Sequence, residues 1–375
     1  MDRTLLWTGF IAALLVGSFW GLRTYARWVE RRPLETSEKV HRLRRMSAVA
    51  LFFLPLAVIL STSVSGWIGP LVRTPLVLWG LYFSLFMVCA AILYLAVHPS
   101  YVRIRQLEIT GQRGVRRALA WLALGLVPMA MWVGILTILP DEFAGNPFLR
   151  WGTFAVFVFA LGAISPLLVT RIVGSSRASP EFRQRVLDLC RRQGVDVRDV
   201  RIIQGRSEKH ANALFTGVLP GFRYVFLTDY LVEHMDGEEL DAVLAHEIGH
   251  GKQHHILIKV GSAVVIFGVL VGGAALAGAG LGETVGLRIA LLVALLVIMF
   301  GLPFIQGAVG IALEKRADDY AVRTAGLHPT VRALDKLAEL NAARRRTGWF
   351  WNLLQQHPGI QQRIDRLRSR QGAAA

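Results

Sequence analysis

Residues 236–252 read DGEELDAVLAHEIGHGK, and the spacing within this stretch decides the local fold and the chemistry that the chain can support. Asp236, followed three residues later by Glu239, is typical of a capped helix start. Apolar residues then recur at helical intervals, at Leu240, Val243, Leu244 and Ile248. The sequence therefore predicts an amphipathic helix from residue 237 to about residue 254.

This helix carries two histidines with metal-ligand spacing, in the motif H-E-I-G-H at residues 246–250. Residues four apart lie on one face of a helix, so the imidazoles of His246 and His250 can converge on one cation. Glu247 lies on the adjacent side of the helix, within reach of the same cation. Two nitrogen ligands suit zinc, and a catalytic zinc ordinarily has three protein ligands and one water. The chain should therefore supply a third ligand.

The composition places much of the remaining chain in lipid. Of 375 residues, 53% are hydrophobic and only 18% are charged, which is too apolar for an ordinary water-soluble enzyme. The apolar residues form seven blocks, each long enough to cross a bilayer, which takes about 20 residues of helix. These blocks are residues 5–22, 47–69, 76–97, 118–140, 150–173, 256–280 and 287–311. The predicted fold class is mainly α, a polytopic membrane protein with about seven transmembrane helices.

The last two blocks indicate where the third metal ligand lies. After His250 the chain crosses the membrane twice, and two crossings return it to the side that it left. The residues that arrive there read EKRADDY from Glu314 onward. Glu314 is therefore the predicted third ligand. Asp318, one helical turn later, could accept a hydrogen bond from a ligand histidine and fix its tautomer.

The distribution of Lys and Arg predicts the orientation in the membrane. The first and third loops are densely basic, the alternate loops contain few charges, and short basic loops stay on the cytoplasmic side. We therefore expect the amino terminus outside and both the catalytic segments and the carboxyl terminus in the cytoplasm. The predicted divisions are 1–173 with five transmembrane helices, 174–255 with the HEIGH helix, 256–311 with two transmembrane helices, and 312–375 with the third zinc ligand and C-terminal helices.

Net charge +16 does not indicate a nucleic-acid-binding protein. The basic residues flank membrane blocks, where anionic lipid headgroups are the nearer partner, so we expect a lipid bilayer and no nucleic acid. The two cysteines, Cys89 and Cys190, lie in different segments and predict neither a disulfide nor a thiolate metal site.

The segment before the HEIGH helix predicts a small soluble domain. Residues 181–192 have helical spacing, and two short strands are expected around residues 200–204 and 224–227. The second of these, with residues 228 and 229, could offer a strand edge to an extended substrate, because proteases often bind peptides by strand addition. An ordinary packed strand is the alternative at the same position.

These motifs resemble those of the integral membrane zinc metallopeptidases that include the CAAX prenyl endopeptidases and the HtpX-type proteases. H-E-I-G-H resembles the zinc helix of that family, and E-K-R-A-D-D-Y-A from Glu314 resembles its E-x-x-x-D segment. The Asn212-Ala213 pair, His255, and the His357-Pro358 pair followed by Arg363 and Ile364 extend the resemblance. Seven predicted helices are closer to the prenyl endopeptidases than to the HtpX type.

The resemblance implies a cytoplasmic, zincin-like (gluzincin) α+β catalytic domain that holds one zinc ion per chain and hydrolyses peptide bonds. Glu247 would take a proton from a zinc-polarised water, and His357 and Arg363 would stabilise the oxyanion. The expected partner is a peptide or protein substrate, with lipidated and membrane-associated substrates left open. An HtpX-like quality-control protease is the first alternative. A transporter or scaffold with a structural zinc is the second, although few ionisable residues lie deep in the apolar blocks.

Overall fold

The computed structural model describes residues 3–65, 75–109, 111–140, 146–281 and 301–372. The chain divides into two compact units, Met1–Ile138 and Leu139–Ala375. The division at residue 173 that the apolar blocks suggest stays a prediction.

The first unit is built from long helices that carry the first four apolar blocks. The helices are α1 (Arg3–Arg31), α2 (Thr36–Ser65), α3 (Pro75–Arg105) and α4 (Gly111–Ile138). Small and β-branched residues such as Ala26, Val29 and Ala96 are buried where α1, α2 and α3 pack together. Charged residues at the helix ends pair with one another, since Arg103 of α3 binds Glu30 of α1 with Nε and Oε1 2.6 Å apart.

The second unit combines apolar helices with a small mixed sheet. Its helices are α5 (Pro147–Leu168, continued by a π-helical turn at Val169–Gly174), α6 (Pro180–Arg192), α7 (Asp229–His234), α8 (Gly237–Lys252), α9 (His255–Leu281), α10 (Leu302–Ala325), α11 (Leu327–Leu340), α12 (Trp349–Gln355) and α13 (Ile360–Gly372). Its strands are β1 (Ser176–Arg177), β2 (Asp199–Ile203), β3 (Ala213–Thr216) and β4 (Tyr224–Thr228).

Each of the seven predicted apolar blocks lies wholly or partly in a helix. Residues 66–69 and 287–300 of two blocks lie outside the described residues. Within the described residues, two helical segments are long and apolar enough to cross a membrane by length and composition, Gly9–Arg31 and Trp151–Gly174. The prediction of a mainly helical fold is confirmed, together with the small sheet that makes the catalytic segment α+β.

The four-stranded sheet has the order β1-β2-β4-β3, with β2 parallel to β4 and the other pairs antiparallel. The strand predicted at residues 224–227 is therefore an interior strand, because β4 pairs with β2 on one side and with β3 on the other. The expectation that it offers a free edge to a substrate is wrong, and its five buried residues fit the packed-strand alternative. Within the described residues the edge strands of the sheet are β1 and β3, and sequence periodicity did not reveal β3 because it spans only four residues.

Helix α8 packs on the sheet as the sequence pattern predicts. The capping box is formed, since Asp236 accepts from the Glu239 N–H and Glu239 accepts from the Asp236 N–H. The predicted apolar stripe is buried, with Leu244 and Ile248 fully enclosed. Burial of such a side chain contributes about 1.5–3 kcal/mol. This packing fixes the rotation of α8 about its own axis.

Gly251 allows α8 to approach β3 closely. A Cβ atom at this position would overlap the ring of Phe215, which is itself buried in β3. We expect Gly251→Ala to lower the free energy of unfolding by about 1–3 kcal/mol, because the packed ring has no room to move. Thermal unfolding of the detergent-solubilised protein measures the effect.

Gly261→Ala is the matched control, since a Cβ atom at Gly261 in α9 meets nothing within 4 Å. It should unfold at or above the temperature of the unmodified protein because alanine favours helix. Equal unfolding temperatures for the two variants would show that Gly251 is not tightly packed.

Candidate metal centre

Three side chains from two helices converge in the second unit. The Nε2 atoms of His246 and His250 on α8 are 3.2 Å apart. The Glu314 carboxylate on α10 reaches both, with Oε2 3.5 Å from His246 Nε2 and Oε1 3.3 Å from His250 Nε2. One ligand atom from each residue lies within 4.8 Å of the others, which is close enough to hold a single metal ion.

The donor set and its spacing fit zinc. Two imidazole nitrogens and one carboxylate oxygen form a ligand set common in catalytic zinc sites. Donors bound at about 2.0–2.2 Å in a tetrahedron are about 3.3–3.6 Å from one another, and the observed separations of 3.2 to 3.5 Å match this spacing. The three ligand side chains line a cavity.

The close approach of α8 and α10 depends on the glycine within H-E-I-G-H. A Cβ atom at Gly249 would lie 3.1 Å from the ring of Tyr320 on α10, so a larger residue would require the ring or the helix to shift by a few tenths of an ångström. The Tyr320 hydroxyl donates to Gln193 Oε1 at 2.8 Å, which ties α10 to the end of α6. Gly249 therefore permits the carboxylate on α10 to reach both histidines on α8.

A buried ion pair supports the ligand His246. Asp318, one turn after Glu314, lies with Oδ1 3.1 Å from His246 Nδ1 and is only 1% exposed. Arg363 of α13 donates from Nε to Asp318 Oδ2 at 3.0 Å. Because Asp318 accepts the Nδ1 proton, His246 keeps its Nε2 lone pair for the metal.

The surroundings shift the pKa values of two of the ligands, His246 and Glu314, in opposite directions. Burial lowers the pKa of His246, but the hydrogen bonds with Asp318 and Glu314 outweigh burial and raise it to about 10. Burial raises the pKa of Glu314, while the three neighbouring histidines hold it well below its usual range. Without metal, His246 is therefore protonated at neutral pH, and metal binding must displace that proton.

Glu247 is positioned by the sheet. The Phe215 N–H of β3 donates to Glu247 Oε2 at 2.9 Å, which holds the carboxylate beside the metal ligands on the same helix. The loop before β3 is anchored in turn, since Ala211 and Asn341 exchange two hydrogen bonds of 3.0 and 2.8 Å. Asn212 is exposed at the start of this edge strand.

The structure places both predicted C-terminal residues, His357 and Arg363, at the site, and they differ in exposure. His357 lies with Nδ1 3.1 Å from Glu314 Oε2, and 55% of its side chain is exposed. Arg363 also lines the cavity, but it is only 12% exposed and is engaged with Asp318. The two residues expected to act alike therefore differ in access to a substrate.

His255 makes a contact that helical spacing does not predict. Its ring is 1% exposed, and its Nδ1 lies 2.8 Å from Nδ1 of the ligand His250. On a continuous helix, position 255 would face away from position 250, but the chain breaks at His254, where φ is +54°. Burial lowers the pKa of His255 to about 4, so the ring is neutral and can accept the His250 proton. Among the sequence signals, only the family resemblance pointed to this residue.

The ligand cluster opens into a cavity of about 370 Å³. One wall is β3, from Ala213 to Phe215, and the opposite wall includes apolar residues of α11 such as Leu334 and Leu337. Such a cavity, apolar with a few convergent polar groups, is the usual form of a substrate site.

Comparison with known families identifies this arrangement. The sequence model of peptidase family M48 matches residues 176–371, which includes β1 and all the ligands and extends into α13. The chain belongs to peptidase family M48. The family prediction made from the motifs is confirmed, and with it the prediction of a metallopeptidase with a His-His-Glu metal-binding group.

Relatives of the chain come from both branches of the predicted family. A probable CAAX prenyl protease 1 of Schizosaccharomyces pombe is 30% identical over 142 residues, which are 37% of this chain and 30% of that protein. A CAAX prenyl protease 1 homolog of Oryza sativa is 26% identical over 60% of this chain and 56% of its own length. The chain thus spans about 30% and 56% of the length of these two relatives. A protease HtpX homolog of Ralstonia nicotianae is 28% identical over 58% of this chain and 87% of its length.

The fold is similar over nearly the whole chain to a solved structure. The crystal structure of S. mikatae Ste24p matches with a TM-score of 0.67 over 98% of this chain and 99% of that one, at 18% sequence identity. This likeness extends to the apolar helices that lie outside the match to the family model.

We expect Asp318→Asn to weaken zinc binding by about 10- to 100-fold, because an amide is a poorer acceptor for His246 Nδ1–H and leaves Arg363 without its counter-charge. Competition with a chromophoric chelator measures the affinity. Asp319→Asn is the matched control, because Asp319 pairs with Arg366 outside the ligand set at 2.9 Å. Equal affinities in both variants would contradict the supporting role of Asp318.

Proposed function

We propose that this chain is a membrane-embedded zinc metalloendopeptidase with one zinc ion per chain. The observation that carries the proposal is the placement of Glu247, held by the Phe215 N–H beside three convergent ligand atoms at the wall of a cavity. Zinc held by His246, His250 and Glu314 would supply a Lewis acid that makes water acidic and polarises a carbonyl.

Glu247 acts as general base and then as general acid. It removes a proton from the water that attacks the peptide carbonyl and delivers that proton to the leaving amine. The Phe215 N–H holds one carboxylate oxygen, Oε2, and leaves Oε1 free for this exchange. A fixed carboxylate avoids the reorganisation that a mobile one would need at the moment of reaction.

His357 is the group suited to stabilise the oxyanion. Its exposed ring can donate to an oxygen that develops charge in the cavity, while the contact with Glu314 holds the ring at the site. Arg363 acts through Asp318 and adds positive charge beside the ligands. This division of roles follows from their different exposure.

The edge of β3 provides a place for an extended substrate. Within the described residues β3 pairs with no strand other than β4, and its residues Ala213 to Phe215 line the cavity. A peptide that added to this edge would lie beside Glu247, because Phe215 contacts that carboxylate directly.

Two substrate classes are compatible with this site. The similarity to proteins named CAAX prenyl protease 1 favours a substrate of the kind that those proteases cleave. The HtpX homolog aligned over 87% of its length favours a quality-control role toward membrane proteins.

Glu247→Gln should reduce hydrolysis by at least about 100-fold while zinc stays bound, because the amide cannot accept a proton. Turnover is measured on a prenylated C-terminal peptide and on an unfolded membrane protein, and metal content by atomic absorption. Glu238→Gln is the matched control on the same helix, since Glu238 is 72% exposed and pairs with Arg332. Full activity of the Glu247 variant on the substrate that the wild type cleaves would refute the mechanism.

We further propose that the seven apolar blocks all cross the membrane and that the catalytic segments face the cytoplasm. The charge pattern of the loops and the full-length likeness to Ste24p support this arrangement. A cysteine in place of the exposed Lys252 should react with a membrane-impermeant maleimide only after cells are opened. A cysteine in place of Glu142, in a loop expected outside, should react in intact cells.

The native cysteines give little background in this experiment, because Cys89 and Cys190 are both buried. The reverse labelling pattern would show that the orientation is opposite to the proposed one. Labelling of both positions from the same side would show that the proposed number of crossings between them is wrong.

A further inference from the structure

Lys259 lies in the wall of the cavity that holds the metal ligands. It follows His255 by one turn of α9, so both residues face the same side of that helix. His255 contacts the ligand His250, and the Lys259 side chain therefore projects beside the metal cluster. Its Nζ donates to Gln356 Oε1 at 3.2 Å, which places the ammonium against the residue that precedes His357.

The charge of Lys259 has no carboxylate partner among the described residues. An ammonium carries three donors, and the neutral Gln356 amide satisfies one of them. The carboxylates of the cavity are engaged elsewhere. Glu247 accepts from a backbone N–H, Glu314 faces three histidines, and Asp318 binds Arg363.

Lys259 therefore differs from the other cation of the cavity. The charge of Arg363 is matched by Asp318, whereas the half-buried ammonium of Lys259 is matched only by an amide dipole. A partly buried cation beside an apolar cavity attracts an anionic group of a ligand and discriminates against a neutral one.

We propose that Lys259, with Gln356 beside it, forms a subsite that binds a carboxylate of the peptide substrate. The inference rests on the proposed peptidase function and names a chemical feature of its substrate. The carboxylate could be the C-terminus of a peptide cleaved near its end or an acidic side chain. A C-terminal carboxylate would direct cleavage to bonds a few residues from the end of the substrate.

The test compares three dye-labelled octapeptides of valine and leucine on the zinc-loaded, full-length protein in detergent. One ends in a free carboxylate, one in an amide, and one in an amide with a glutamate near the end. Binding is measured by fluorescence anisotropy on the Glu247→Gln variant, and hydrolysis is measured on the wild type. Lys259→Gln and Lys259→Arg are introduced into both backgrounds.

We expect a carboxylate peptide to bind about tenfold more tightly than the neutral peptide, as for a charge-assisted hydrogen bond at a half-buried site. The ratio should fall toward one in Lys259→Gln and return in Lys259→Arg. The difference should appear in KM rather than in kcat. Preference for the free-acid peptide alone identifies a C-terminus, and equal preference for the glutamate peptide identifies any nearby carboxylate.

Lys252→Gln removes the same charge from an exposed position at the end of α8 and should keep the wild-type ratio. A ratio near one in the wild type, or a ratio that Lys259→Gln leaves intact, overturns the inference. Binding that depends on Lys259 without hydrolysis of any peptide would support the subsite and refute the proposed function. Hydrolysis of all three peptides at equal KM would support the proposed function and refute the subsite.

Discussion

The contact between α8 and α10 at Gly249 and Tyr320 is the constraint on which the site depends. These helices are separated in the chain by two apolar blocks, so their approach is a tertiary event. Only when they touch does the carboxylate of Glu314 come within 3.5 Å of both ligand imidazoles. The capping box and the buried stripe of α8 set its rotation, and the absence of a side chain at position 249 sets the distance.

Electrostatics makes this arrangement stable only as a unit. Glu314 and Asp318 are both nearly inaccessible to water, and an uncompensated carboxylate there would cost several kcal/mol. The histidines, Arg363 and a bound cation compensate that charge together. The C-terminal helix α13 is therefore part of the centre, although it provides no ligand atom. Loss of Arg363 would leave the buried Asp318 with His246 at 3.1 Å and the more distant Arg366 at 3.7 Å as its remaining partners.

The part of the site that depends on local spacing could be predicted from the sequence. Helical periodicity predicts that His246, Glu247 and His250 lie together. The number of predicted membrane crossings adds Glu314. His255 did not follow, because a single residue in a left-handed conformation turns the chain between His250 and His255. The edge position of β3 was not predicted either, because strand order is a property of the whole sheet. The stronger strand pattern in the sequence belonged to β4, which is an interior strand. The position of Lys259 in the wall of the cavity could be recognised only from the structure.

The helix that supplies Glu314 runs without interruption from Leu302 to Ala325. Its first half belongs to the last apolar block, so one rigid rod connects the proposed hydrocarbon region to the metal ligand. About 18 Å of helix separate residue 302 from residue 314, and a tilt of about 5° over that length would move the carboxylate by about 1.5 Å. Metal coordination tolerates about 0.2 Å. The packing of α10 against its neighbouring helices, which sets helix tilt, thereby becomes a determinant of how well the metal is held.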